Sequence, residues 1–158
     1  MNRKQWIGTS IAGAAVLFGG GAVYEARTGA ENDRDVLAAI GPVILAGALP
    51  PGAEALEAFV SGFDTAVAGL PPHVQAEVAQ LLTILRNGIL RVLATGVMRP
   101  WPEASPQEIA DFLNRWRYSG ITKLRAGYDA LHQLSLAAWY GNPQSWERIG
   151  YPGPPVIA

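Results

Sequence analysis

Apolar residues recur along this chain at spacings of three and four, and each such run predicts an amphipathic helix. Val36, Ile40, Val43, Ile44 and Gly47 make the first stripe, over Asp33 to Ala48, and Pro42 within it predicts a kink or break at Gly41. Leu56, Phe59, Val60, Phe63 and Val67 make the second, from Pro51 to Ala68, with Glu54, Glu57 and Asp64 away from its centre. The third reads as one long helix from Pro72 to Thr95. Its stripe of Val74, Val78, Leu81, Leu82, Leu85, Ile89, Val92 and Leu93 is wide enough to meet two neighbours. Gly88 inside it costs about 1 kcal/mol relative to alanine, which predicts a compensating close helix crossing there. Gly96 is placed as a C-cap.

Trp101 stands between Pro100 and Pro102 and is expected to be rigidly displayed on a loop. Ser105-Pro106-Gln107-Glu108 has an N-cap serine, proline at the first helical position and glutamate at the third, the signature of a capping box. Ile109, Phe112, Leu113 and Trp116 carry that helix to Ser119-Gly120. The fifth helix follows Ile121, Leu124, Tyr128, Leu131, Leu134 and Ala138 and is stopped by Gly141-Asn142-Pro143. Arg125 and Asp129 sit four apart on another face and are expected to pair weakly. No stretch alternates as a strand would, and no repeat occurs at a fixed period. The pattern therefore predicts an all-α fold, a small bundle of about five helices over residues 31–142.

Both ends depart from this pattern. Arg3 and Lys4 precede Trp6 to Tyr24, a run of 19 uncharged residues. As a helix it would be roughly 28 Å long, near the hydrocarbon thickness of a bilayer. Residues 1–30 therefore read as an export signal or a membrane anchor. The start resembles a twin-arginine signal, with Lys4 where a second arginine is usual. Two small-residue cleavage sites compete, Thr28-Gly29-Ala30 and Gly20-Gly21-Ala22. At the other end, Pro152-Gly153-Pro154-Pro155 closes a stretch, 143–158, that reads as an extended arm biased to polyproline II.

Charge is divided unevenly. The formal net charge is −1, which argues against a nucleic-acid binder. Ala30 to Leu85 holds seven acids and one arginine, whereas Arg86 to Ala158 holds eight bases and five acids. The chain has no cysteine, which excludes disulfides, thiolate iron–sulfur ligation and c-type haem attachment within it. Its two histidines, His73 and His132, show no metal-ligand spacing.

Few residues suggest chemistry. Glu54 and Glu57 read as a solvated face rather than an acid–base pair. Asp129, His132 and Ser135 radiate from one helix, with nothing in the sequence to form an oxyanion hole. Gly19-Gly20-Gly21 follows no strand and is not a cofactor cradle. No catalytic, cofactor or metal site is expected. The aromatics Trp139, Tyr140, Trp146 and Tyr151, with Pro152, Pro154 and Pro155, are expected to contact a partner. Aromatic rings bury large area at low entropic cost, and proline pre-orders the arm. The competing reading is that this arm seals the bundle's own core.

Several stretches together resemble the small accessory subunits of membrane-associated bacterial FAD-dependent dehydrogenases of the glucose–methanol–choline type. Such subunits include those of sorbitol, fructose and glucose dehydrogenases, and subunit three of gluconate 2-dehydrogenase. The stretches are the N-R-K-Q-W-I start, LLTILRNGILRVL, DFLNRWRYS, and LRAGYDALHQLSLAAWYGNPQSWERIGYPGPP, which together cover most of the chain. The resemblance implies a chain without a redox cofactor of its own. It would bind a large FAD-bearing subunit, help it mature in chaperone-like fashion, and pass with it through the export machinery to the periplasm. There the complex is membrane-associated, and its electrons leave through a cytochrome c subunit or another acceptor. Two other readings stay open: a stand-alone periplasmic or membrane-anchored helical binding protein, and an unrecognised enzyme.

Overall fold

The structure, a computed structural model, describes residues 29–154. Among them each stripe read above is helical and there is no strand. In chain order the elements are α1 (Gly29–Ile44), α2 (Ala53–Ala68), α3 (Pro72–Arg86), α4 (Gly88–Thr95), the 3₁₀ turn η1 (Trp101–Glu103), α5 (Pro106–Arg117), α6 (Thr122–Tyr140) and α7 (Pro143–Ile149). Among the described residues the α-helices number seven rather than five. The expected third helix is divided, and the expected extended arm begins with a helix.

α1 lies at the centre and touches α2, α3, η1, α5 and α6. Its Val36, Leu37 and Ile40 are buried among Phe59 and Phe63 of α2, Leu81 and Leu85 of α3, Phe112 and Trp116 of α5, and Leu131 and Trp139 of α6. The expected break at Gly41 does not occur, because α1 runs through Pro42 and ends two residues later. Pro42 leaves the Ala38 carbonyl without its intrahelical donor, as any interior proline would, and the helix continues for two more residues. Gly41 serves packing instead, since the Phe59 ring occupies the place a Cβ would take.

Close helix crossings fall elsewhere than expected. A Cβ on Gly88 would meet nothing within 4 Å, so no crossing offsets its cost. Gly62 of α2 is pressed on α6, where a Cβ would stand 2.5 Å from the Ala138 carbonyl oxygen. Gly127 of α6 receives the Trp116 indole, whose Cζ3 would lie 2.7 Å from such a Cβ. These two glycines set how near α6 comes to its neighbours.

The division of the third helix lies at Asn87. Its backbone is extended (φ −75°, ψ 120°), and its Oδ1 accepts from the N–H groups of Ile89 at 3.2 Å and Leu90 at 3.1 Å. This is an N-cap for a new helix, and α4 leaves α3 at 96°. The bend strands carbonyls in the last turn of α3, and Trp101 satisfies one of them: its Nε1–H donates to the Leu85 carbonyl at 2.7 Å. Trp101 is therefore buried and not displayed. Two further indoles act alike. Trp116 donates to the Ala94 carbonyl at the end of α4, at 2.9 Å, and Trp146 to the Tyr140 carbonyl at the end of α6, at 3.0 Å.

The surface pairs follow from the packing. Arg34 pairs with Glu57 across α1 and α2, so one of the two candidate carboxylates is an ion-pair partner on an exposed face. Arg86 lies 3.4 Å from Asp33 and ties α3 to α1. Burial nevertheless holds the Asp33 carboxyl above the ordinary aspartate range, and the guanidinium only partly offsets it. The expected Arg125–Asp129 pair is absent: Arg125 donates to the Ser119 carbonyl and, at 3.1 Å, to Thr122 Oγ1.

The capping box stands as the sequence predicts. Ser105 Oγ accepts from the Glu108 N–H at 3.2 Å, and Glu108 Oε2 accepts from the Ser105 N–H at 2.8 Å. The Ser105 N–H bond and hydroxyl hold the Glu108 carboxyl below the usual glutamate range. A carboxyl lowered on folding stabilises the fold above its unfolded pKa, and that stability disappears as pH falls through the folded value. Glu108→Gln is therefore expected to lower the melting temperature at neutral pH and to flatten the acid limb of a melting-against-pH series, so that variant and parent converge at low pH. Ser105→Ala is expected to cost about 1 kcal/mol at neutral pH in urea unfolding.

Candidate functional site

Among the described residues two surfaces carry exposed apolar side chains. The first is α4. Its inward face presents Arg91 and Thr95, which are 8 % and 2 % exposed, while its outward face presents Ile89 and Leu93, at 75 % and 78 %. The helix is amphipathic in the wrong sense. Leu90 is also exposed, and Met98, at 77 %, follows in the strap after Gly96.

Specific contacts keep the helix turned this way. Arg91 Nε donates to the Val97 carbonyl at 3.3 Å, and its guanidinium lies 5.8 Å from the centre of the Trp101 ring. Thr95 Oγ1 donates to the Arg91 carbonyl at 2.8 Å and accepts from the Val97 N–H at 3.1 Å. From α5, Trp116 and Arg115 reach the carbonyls of Ala94 and Thr95. Gly96, with φ +72°, turns the chain out of α4 in a left-handed conformation that favours glycine. These contacts hold the aliphatic side chains of Ile89 and Leu93 outward on a fixed helix.

The second surface is the C-terminal segment. Gly141 ends α6, and Asn142 caps α7, its side chain accepting from the Gln144 N–H at 3.0 Å. α7 packs on the end of α6 and buries Ser145, whose Oγ donates to the Asn142 carbonyl at 2.8 Å. After Gly150 the chain turns back. Tyr151 packs edge-on against Trp146, with ring centres 5.4 Å apart, and Gly153 (φ +96°) rests on the same indole. The segment is thus a hook, helical over Pro143–Ile149 and folded on Trp146, where an extended arm from 143 was expected.

The expected contact residues divide between core and hook. Trp139 is 1 % exposed and belongs to the bundle core, which removes it from any surface. Trp146 is half-buried at the centre of the hook. Tyr140, Tyr151, Pro152 and Pro154 are exposed, and Ile149, which the sequence reading passed over, is exposed beside them. Pro155, like Arg3, Lys4 and Trp6, lies outside the described residues.

The other candidates do not assemble. Ser135 is buried, while His132 stacks on Tyr128 with ring centres 5.5 Å apart, and no hydrogen bond joins them to each other or to Asp129. Among the described residues no group of three or more His, Asp and Glu could hold a metal ion. An open groove of about 650 Å³ runs between α1, η1 and the start of α5, lined mainly by Ala38, Pro42, Val43, Trp101 and Ile109, with Asp35 and Gln107 among its few polar groups. Its walls carry no converging catalytic set.

Among the described residues no single helix is long and apolar enough to cross a membrane. Comparison with known proteins returns no matching family model, no matching curated protein and no matching solved structure.

Proposed function

We propose that this chain is a non-catalytic accessory subunit. It binds a large FAD-dependent dehydrogenase subunit, helps it mature and accompanies it to the periplasm, where the complex sits at the membrane and passes electrons to a cytochrome c subunit or another acceptor. The flavin belongs to the partner. The observation that carries the reading is the C-terminal hook. Its residues, in AWYGNPQSWERIGYPGP, are those in which the resemblance to accessory subunits is most specific, and they build a surface bearing Tyr140, Ile149 and Tyr151 with nothing over it. The hook is pre-ordered by its two caps and by Trp146, so docking it loses little conformational freedom.

Ile149→Asp in a chain co-expressed with the large subunit tests this. Ile149 is exposed, so the substitution is expected to leave the melting of the isolated chain within about 0.5 kcal/mol of the parent. It is expected to abolish retention of the flavoprotein in a pull-down, and Tyr151→Ala to weaken it. Undiminished retention by both variants would remove the hook from the interface. A tagged parent chain that recovers no flavoprotein from its own host would remove the accessory-subunit reading itself. Deleting 143–158 is the poorer experiment, because it also strips the buried Ser145 from the end of α6.

A further inference from the structure

The outward face of α4 is independent of the hook and of the accessory-subunit reading. We propose that it is a docking surface for an anionic lipid bilayer, with Ile89, Leu90, Leu93 and Met98 entering the headgroup–acyl boundary.

The length, chemistry and charge of the surface converge on this. α4 has eight residues, about 12 Å, too short to cross a bilayer and suited to lying in its plane. Its exposed side chains are aliphatic. Protein contact surfaces draw their binding energy from Trp, Tyr and Arg, with Leu and Val under-represented. The charges that flank it along the chain have one sign, although the Glu108 carboxylate lies near enough to Arg99 to feel its charge. From Val78 to Pro102 the chain contains Arg86, Arg91 and Arg99 and no acid. Arg91 is turned inward and Arg86 faces Asp33, which leaves Arg99 on the exposed strap.

The end of α5, joined to α4 by Trp116 and Arg115, continues into exposed Arg117 and Tyr118, with the guanidinium 5.3 Å from the Tyr118 ring centre. Exposed Arg99 beside an aliphatic wedge matches anionic headgroups over acyl chains, while the Arg117 guanidinium lies over the rings of Tyr118 and, in α6, Tyr128. The acids nearest in sequence are Glu103, Glu108 and Asp111, and the Glu108 carboxylate is occupied in the capping box. The wedge is also pre-formed. Arg91, Thr95 and the Asn87 cap hold it turned outward, so insertion needs no refolding.

The absence of cysteine makes a site-specific test simple. Leu93→Cys and, on exposed α2, Ser61→Cys each receive an environment-sensitive fluorophore in the full-length chain. They are mixed with vesicles of phosphatidylcholine alone or mixed with phosphatidylglycerol. A comparison of two positions on one chain separates α4 insertion from anything the N-terminal residues do. On the mixed vesicles, emission from position 93 is expected to shift to the blue and to be quenched by nitroxides on the acyl chains, while position 61 stays water-exposed. Arg99→Glu is expected to raise the lipid concentration for half-maximal change at position 93 at least about fivefold.

A label at 93 that stays as wet as the label at 61 overturns the proposal. So does burial of position 93 that needs no lipid. If it grows with protein concentration, the occupant is a second copy. If it appears on adding the large subunit, the occupant is that protein. Equal burial on phosphatidylcholine alone overturns the assignment to anionic headgroups.

Discussion

Trp116→Ala is expected to be the most damaging single substitution in the chain, lowering stability by about 3–5 kcal/mol. Three losses coincide there. The indole is buried against Phe112, with ring centres 5.6 Å apart, and fills the space opposite Gly127. Its N–H also satisfies the Ala94 carbonyl, so alanine leaves a helix-end acceptor without its partner. Urea unfolding followed by circular dichroism checks the magnitude. Trp116→Phe separates the contributions: it keeps most of the packing, removes the hydrogen bond, and is expected to fall well short of the alanine loss. Hydrogen exchange in the Trp116→Phe chain is expected to rise in α4 before it rises in α1. Equal stability of the alanine variant and the parent would contradict the packing described for α5 and α6.

Gly62→Val is the second large effect. The helix itself would accept valine at no cost relative to glycine. The obstacle is the backbone of α6, because a Cβ at position 62 would stand 2.5 Å from the Ala138 carbonyl oxygen. A backbone atom cannot step aside as a side chain can, so α2 and α6 must separate. Overpacking of this kind costs about 1–3 kcal/mol, and valine is expected at the upper end. Gly88→Ala is the matched control. It lies at the first position of α4 with open space around it, and it is expected to leave stability unchanged or raise it by a few tenths of a kcal/mol up to about 1 kcal/mol. Chemical unfolding of both variants in parallel measures the contrast. A Gly62→Val chain as stable as the parent would mean that α2 and α6 do not cross as closely as described.

These two positions also show where the sequence was legible. Periodicity is a property of one helix at a time, and it located α1, α2, α5 and α6, read α3 and α4 as one, and found most of the core, including Phe59, Phe63, Leu85, Phe112 and Leu131. The capping box was readable because all its parts lie within four residues. What needed a second helix could not be read. Gly62 and Gly127 look like minor costs until the partner backbone or indole is placed against them. Trp101 between two prolines looks displayed, yet its N–H is consumed by the Leu85 carbonyl, sixteen residues earlier.

The candidate surfaces divide in the same way. The hook was recognised by its aromatics, but Trp139 among them is core, and Asn142 makes Pro143–Ile149 helical where prolines alone suggested extension. The outward face of α4 was missed because its Ile89, Val92 and Leu93 continue the apolar stripe of α3 without a change of phase. One local signal was present. Asn87-Gly88 in the middle of an apolar run can cap a new helix as readily as it can interrupt an old one.

That asparagine decides whether an apolar stretch is one long helix or two short ones. Drawn out straight, Pro72–Thr95 would be a rod of about 36 Å. Taken together, α3 and α4 have the length and composition of a membrane-crossing segment. Bent at Asn87, they become two pieces, each too short to cross. The bend is secured from downstream, by the indoles of Trp101 and Trp116. Whether Pro72–Thr95 is one rod or two pieces is thus governed by one side-chain amide within it and by two indole N–H groups that leave the ribosome after it.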